Sequence, residues 1–359
     1  MQRLQIQDPP EPAQIAAILG ALQAGKLAVL PTETVYGLAA DSRNPEAVQL
    51  LSDTKGRDSQ QPFTHHLAEA GQVDGLTDPF PARVGRLLER VWPGPLTAIL
   101  PARGGAGTIG VRVPAHPLTR QVITELGHSL LMTSVNRHGE PPLNDPDAIT
   151  QGFAADAAIA ILADAGPPSL GQASVVVRLE GRRLHVLRPG ILDAAELHTG
   201  AATKVLFLCT GNTCRSPLAE VIARQQTAAA LAIEPEEVLA HGLAFQSAGT
   251  GTLSGMPASS GSMQAAAQIG LDLSAHSSTH LSPSLVTAAD RIFCLSESHR
   301  RFLLHNAPEA EAKATLLDPA GKDLADPFGG DSEVYRQTCA EIEALVALRI
   351  PELLAESSA

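Results

Sequence analysis

Aromatic side chains are scarce in this sequence: eight Phe, two Tyr and one Trp, 3% of 359 residues. Alanine and the branched aliphatics must therefore supply the core. Cysteine is scarce as well, with four in all, too few for a disulfide framework at this length. No run of about 18 or more apolar residues occurs, and Met1-Gln2-Arg3-Leu4-Gln5-Ile6 lacks the apolar segment of a secretory signal. These absences exclude a spanning helix and predict a cytoplasmic protein with no membrane partner. Positive charge is also short, 26 Lys and Arg against 38 Asp and Glu, a net charge of −12. Split at residue 200, the first part carries 16 − 20 = −4 and the second 10 − 18 = −8. Neither has the overall basic bias of a non-specific nucleic-acid binder, though the arginine-richer first part leaves room for a local basic cleft. No Cys/His spacing marks a metal site, the adjacent His65-His66 pair being too short a motif.

What is present is globular: 44% hydrophobic and 18% charged residues, in a chain long enough for two domains. The most informative stretch runs from Val205 to Leu218. Val205-Leu206-Phe207-Leu208 reads as a buried parallel strand that stops at Cys209. A loop of small polar residues follows, and Ser216-Pro217 reads as N-cap and first position of a helix. Strand, tight loop and helix start converge backbone N–H groups and a helix dipole on one point, which makes an anion site. Cys209 and Arg215 bracket the loop with five residues between them. A thiol in that setting is expected to ionise early, with a pKa of about 3.5–7.5. The thiolate is then a nucleophile, and Arg215 suits two phosphate oxygens. Ser216 is placed to donate to the sulfur and Asn212 to brace the loop. Cys209 and Cys214 are near enough in sequence for reversible oxidation, while Cys294 and Cys339 read as packing residues.

At these residues the sequence resembles the low-molecular-weight protein tyrosine phosphatase family, from about Lys204 to the C-terminus. The resemblance extends through Ser247-Ala248-Gly249-Thr250, Arg291-Ile292-Phe293-Cys294-Leu295 and Asp326-Pro327-Phe328-Gly329-Gly330. It implies that Asp326 protonates the leaving oxygen and later activates water; Phe328 favours this pair over the rival Asp318-Pro319. Thr213 stands where many members carry an aliphatic residue, as in the bacterial protein-arginine phosphatase branch. Phosphoarginine recognition and a neutral exchange both remain open there. The substrate implied is a phosphoprotein, with no cofactor.

Earlier in the chain, helical spacing of Ile15, Ile18, Leu19 and Leu22 ends at Gly25, and Leu27–Leu30 reads as a buried strand. Helices are expected around Pro45–Leu51 and Arg83–Arg90, with strands at Thr108–Val113 and Leu131–Asn136. Ser174–Val177 and Leu184–Leu187 read as paired strands. Pro31-Thr32-Glu33-Thr34-Val35-Tyr36-Gly37-Leu38, Lys55-Gly56-Arg57, Trp92-Pro93-Gly94-Pro95-Leu96-Thr97, Val111-Arg112-Val113-Pro114-Ala115-His116-Pro117, Thr133-Ser134-Val135-Asn136 and Arg188-Pro189-Gly190 follow one another in this order, each once. That order resembles the threonylcarbamoyl-AMP synthase family, the YrdC-like domain.

The resemblance implies formation of threonylcarbamoyl-adenylate from L-threonine, bicarbonate and ATP, Mg2+ accompanying the nucleotide. Partner proteins would pass the product to tRNA. It assigns Lys55, Arg57, Thr108, Asn136, Asn144 and Arg188 to ATP, and Thr34, His66, Arg112, Ser134 and Ser174 to L-threonine. Asp58 for Pro, Gln61 for Asn, Val175 for Thr and Asn144 for Ser or Thr depart from the family pattern. A non-catalytic module binding RNA, including double-stranded RNA, or nucleotide is the alternative for this half; an arsenate reductase is the alternative for the other.

The organisation expected is α/β throughout. A YrdC-like domain over 10–192, a twisted mixed sheet with helices, is followed by a mobile linker over 193–203. A phosphatase domain over 204–359 follows, a doubly wound four-stranded parallel sheet. Helices are expected there over Gly261–Ile269 and Glu333–Leu348, and a strand at Phe245–Ser247.

Overall fold

The computed structural model describes residues 1–56, 62–105, 107–137 and 139–358. Arg57, Asp58 and Gln61 lie outside them. Two compact units result, Met1–Leu197 and His198–Ala359.

The first unit contains β1 (Gln2–Gln5), α1 (Pro12–Gln23), β2 (Leu27–Leu30), β3 (Gly37–Asp41), α2 (Pro45–Lys55), β4 (Thr64–His66), α3 (Ala82–Val91) and β5 (Leu96–Pro101). It continues through β6 (Thr108–Arg112), α4 (Pro117–Leu126), β7 (Leu130–Ser134), α5 (Pro146–Gly152), β8 (Ile159–Asp164), β9 (Val175–Glu180) and β10 (Arg183–Arg188). These described strands form one mixed sheet in the order β1-β8-β2-β3-β7-β4-β6-β5-β9-β10. β2 is buried along its whole length because its alternate residues feed two cores: Ala28 and Leu30 pack with α1 and α4 residues, Leu27 and Val29 with Leu51 of α2. α2 begins where Asn44 Oδ1 accepts from the N–H groups of Glu46 and Ala47, with Pro45 at the first position. It ends at Gly56, whose φ of 64° is left-handed. β9 and β10 pair antiparallel, as their sequence spacing predicts.

The stretch read as a linker contains α6 (Ala194–Gly200), started by Asp193, whose Oδ1 accepts from Ala195 and Glu196 N–H. A short acidic cap converted an expected loop into a helical turn pair.

The second unit contains β11 (Thr203–Cys209), α7 (Arg215–Leu231), β12 (Leu243–Gly249), α8 (Ser260–Gln268), α9 (Pro283–Ala288), β13 (Arg291–Cys294), α10 (Glu297–Asn306), β14 (Ala314–Leu316) and α11 (Ser332–Glu356). Its four strands are all parallel, in the order β12-β11-β13-β14. β11 again alternates: Val205, Phe207 and Cys209 pack on one face, Leu206 and Leu208 on the other. Phe207 stacks on Phe245 at 6.3 Å and on Phe293 at 5.8 Å, so three of the few aromatics meet at the sheet centre. The connection after β11 leads to β12 on one side and the next returns to β13 on the other, which opens a crevice beyond the carboxyl end of β11.

Candidate active sites

In the first unit, one face of the sheet lines a cavity of ≈ 300 Å³. The lining residues recur with period two: Thr64 and His66, Thr97 and Ile99, Thr108, Gly110 and Arg112, Val176 and Arg178. Alternation along neighbouring strands presents them all on the same side. Ser134, Ser174 and Arg188 complete the polar part. Gly190 is required by close packing, since a Cβ there would stand 2.6 Å from the Val175 nitrogen. That contact brings the Arg188 turn against Ser174.

The polar side chains form a connected set. Arg188 donates to the Ser174 carbonyl at 2.8 Å and to its hydroxyl at 3.1 Å, and Ser174 Oγ meets Thr97 Oγ1 at 2.9 Å. Arg112, only 4% exposed, donates to Glu33 Oε1 at 2.6 Å and to Thr34 Oγ1 at 2.8 Å. Glu33 also accepts from the Ala115 N–H at 2.8 Å. Burial pulls Arg112 below the usual arginine range, and Glu33 opposes that. His66 is pushed down to about 3 by burial, then by Arg112, and is neutral at physiological pH. Its Nδ1 lies 3.1 Å from the Thr64 carbonyl, an acceptor only, so Nδ1 carries the proton.

Of the residues singled out by sequence, His66, Thr108, Arg112, Ser134, Ser174 and Arg188 line this cavity. Thr34 lies behind Arg112. Lys55 is buried at the end of α2, its ammonium donating to the Ser134 carbonyl at 2.8 Å and to Asn136 Oδ1. Asn144 does not line the cavity; its amide donates to the Gly171 carbonyl at 3.1 Å. Sequence reasoning passed over Glu33 and Arg178, although Glu33 sits inside a quoted motif and a buried arginine always demands a partner.

In the second unit, Cys209 ends β11 and Arg215 begins α7, with Cys214 in the cap position. The helix thus starts two residues earlier than expected, with Cys214 and not Ser216 in the cap position. Ser216 turns inward instead, its Oγ 2.9 Å from Cys209 Sγ. Asn212, fully buried with a left-handed φ of 51°, braces the loop. Its backbone N–H donates to Cys209 Sγ at 3.2 Å, and its amide donates to Ser216 Oγ and Ser247 Oγ, each at 2.9 Å. Its Oδ1 accepts from the Thr279 N–H at 2.7 Å.

Burial pushes the Cys209 thiol up, while the Ser216 hydroxyl, the Ser216 and Asn212 N–H groups and the Arg215 charge pull it down. The lowered value expected from sequence counted the donors and missed the burial, since Cys209 is 2% exposed. Arg215 donates to the Leu324 carbonyl at 3.0 Å and to Asp326 Oδ2 at 2.6 Å, while its buried Nε–H has no hydrogen-bond partner among the described residues. Asp318 merely closes a turn on the Ala320 N–H. The Cys214 thiol faces other groups, Ser259 Oγ at 3.3 Å and Tyr335 Oη at 3.7 Å. Thr213 is half-buried, its hydroxyl 3.7 Å from Cys214 Sγ.

A thiol ringed by donors, with an arginine from the same loop beside it, is the arrangement of cysteine-dependent phosphoryl chemistry. The other unit's pocket, walled by Arg112, Arg178 and Arg188, suits a negatively charged small molecule. Known proteins agree. Residues 20–190 match the Sua5–YciO–YrdC family model, described as telomere recombination, and residues 204–357 match that of low molecular weight phosphotyrosine protein phosphatase. Threonylcarbamoyl-AMP synthase of Bacillus subtilis is 35% identical over 190 residues, 50% of this chain and 54% of that protein. Its namesake in Halorhodospira halophila is 35% identical over 150 residues, 40% of this chain and 78% of that protein. A double-mutant Sua5 structure from P. abyssi is 28% identical with a TM-score of 0.51, covering 63% of this chain and 76% of its own. The chain therefore belongs to the threonylcarbamoyl-AMP synthase family, joined to a domain of the low-molecular-weight phosphatase family. It spans about half the length of the first of these relatives. No helix among the described residues is long and apolar enough to cross a membrane.

Proposed function

We propose that the chain is a bifunctional enzyme. Its first unit forms L-threonylcarbamoyladenylate from L-threonine, bicarbonate and ATP. The supporting observation is the cationic polar face, with Arg112, Arg178 and Arg188 on its wall and Lys55 behind Ser134. Adenylation develops negative charge on the triphosphate, and preorganised cations stabilise it. In this reading Lys55, Arg57, Thr108, Asn136 and Arg188 serve the nucleotide, which brings its own Mg2+. His66, Arg112, Ser134 and Ser174 serve the amino acid, and Thr34 acts through Arg112. Proteins of tRNA modification accept the adenylate. The folded protein should release pyrophosphate from ATP and bicarbonate only when L-threonine is added; release indifferent to threonine rejects the reading.

The second unit hydrolyses phosphoprotein through a cysteinyl-phosphate. The observation that carries this reading is the buried Arg215, its Nε–H unpartnered among the described residues, beginning the helix that follows the Cys209 loop. Arg215 and the loop N–H groups take the phosphoryl oxygens. As the phosphoryl group binds, the Cys209 thiol loses its proton and the Asp326 carboxylate takes one up; the thiolate attacks phosphorus, the S–P bond forms as the ester P–O bond breaks, and Asp326 gives that proton to the leaving oxygen. Asp326 then takes a proton from water, which attacks phosphorus and breaks the S–P bond. Ser216 and Asn212 hold the sulfur. Cys209→Ser should abolish hydrolysis of an aryl phosphate.

A further inference from the structure

Outside both candidate sites, one buried imidazole is wired to the phosphate loop. His299, in the first turn of α10, is 3% exposed. Its Nε2 lies 2.9 Å from Thr210 Oγ1 and its Nδ1 lies 2.8 Å from Ser296 Oγ, which is 2.8 Å from Ser298 Oγ. Thr210 is the residue after Cys209. β11 and β13 are parallel neighbours, so the segments leaving them run side by side; the Leu295 N–H donates to the Leu208 carbonyl at 3.0 Å. The ring closes the next gap along those two segments.

We propose that His299 is a positioning residue for the second unit's reaction, fixing the phosphate loop from α10 through the Thr210 side chain; this rests on the phosphatase reading above. The loop needs such a hold. Asn212 sits at a left-handed φ of 51°, a conformation that persists only when its surroundings enforce it. The Thr210 main chain is already gripped, its carbonyl accepting from the Gly251 N–H at 3.0 Å. His299 grips the side chain. A neutral ring donates through one nitrogen and accepts through the other, which fits a hydroxyl on either side. Burial and then the Arg215 charge push His299 down to about 4, with Asp326 and Asp323 opposing, so the ring is neutral while the enzyme works.

The test uses the full-length protein, an aryl phosphate and inorganic phosphate as competing anion. H299A is expected to lower kcat/KM about 100-fold and weaken phosphate inhibition in step, because a misplaced loop spoils both binding and attack. T210V, an isosteric change at an exposed position, should do the same, and the double variant should be no worse than either single. H299Q, whose amide also donates and accepts, should recover part of the loss. Wild-type kinetics in T210V, or losses that multiply in the double variant, would overturn the inference. A wild type inert toward the aryl phosphate overturns the phosphatase reading and this inference together. An active wild type indifferent to H299A and T210V overturns the inference alone.

Discussion

The guanidinium of Arg215 donates to the carboxylate of Asp326 at 2.6 Å, across 111 residues of sequence. The cation that would hold a phosphate and the acid that would protonate its leaving group are thus bonded to each other. In the proposed mechanism an arriving phosphate dianion would compete with Asp326 for Arg215 and, in taking it, leave the carboxylate free to pick up the proton it later donates. Asp326→Asn is therefore expected to lower aryl-phosphate turnover by about 100- to 10,000-fold while phosphate still binds. Parallel loss of phosphate affinity and turnover would assign Asp326 to binding instead.

The Ser216 hydroxyl opposes the burial that raises the Cys209 thiol. Ser216→Ala should move the thiol pKa further up, so that alkylation by iodoacetamide needs a higher pH than in wild type. Cys209→Ser provides the blank. An unchanged or lowered alkylation midpoint in Ser216→Ala would contradict the reading of that contact.

Arg112 and Glu33 form a buried pair, with side chains 5% and 11% exposed. Removing one partner of such a pair costs about 3–5 kcal/mol, because the remaining charge stays buried alone. Trp92 is the sole tryptophan and lies in the first unit, so its fluorescence reports on that unit. Glu33→Gln should bring its urea midpoint down sharply. Equal midpoints would show the pair to be dispensable.

His66 sits at about 3 in the folded state, against an unfolded value of about 6.5. Unfolded chains then bind the extra proton, so stability is full above about pH 6.5 and falls as pH drops toward 3. His66→Gln should flatten that acid slope in Trp92-monitored melts between pH 4 and 7. An identical slope would mean that the ring is already charged or exposed.

Thr213→Ile discriminates the two substrates left open by the sequence. If the Thr213 hydroxyl serves phosphoarginine, the wild type should turn over phosphoarginine peptides faster than phosphotyrosine peptides, and the variant should lose that preference. A wild type favouring phosphotyrosine would make the residue a neutral exchange.

Local signals carried far in this chain. The Val205–Leu208 run, the Leu27–Leu30 run and the β9–β10 pair were legible because apolar runs and turn residues mark strands directly. Lys55, Arg112, Ser134 and Arg188 were legible as motif members, but their connections were not, since Lys55 meets Ser134 across 79 residues. The Ser216 cap misled because a Ser-Pro start looks the same whether the hydroxyl caps a helix or points at a thiol. β1 and β8 were missed: they pair with each other from opposite ends of the unit. The helix over Glu333–Leu348 runs on to Glu356 through Pro351, where packing of Ile350 and Leu353 outweighs one lost N–H. His299 had no local signal at all, because only the strand order brings it to Thr210.

The most direct measurement is a pair of assays on one preparation, threonine-dependent pyrophosphate release and aryl-phosphate hydrolysis, run on wild type, Lys55→Ala and Cys209→Ser. Wild type should show both activities, Lys55→Ala should lose only the first, and Cys209→Ser only the second. A folded wild type lacking either activity, or a Cys209→Ser protein that still hydrolyses the ester, would contradict the account.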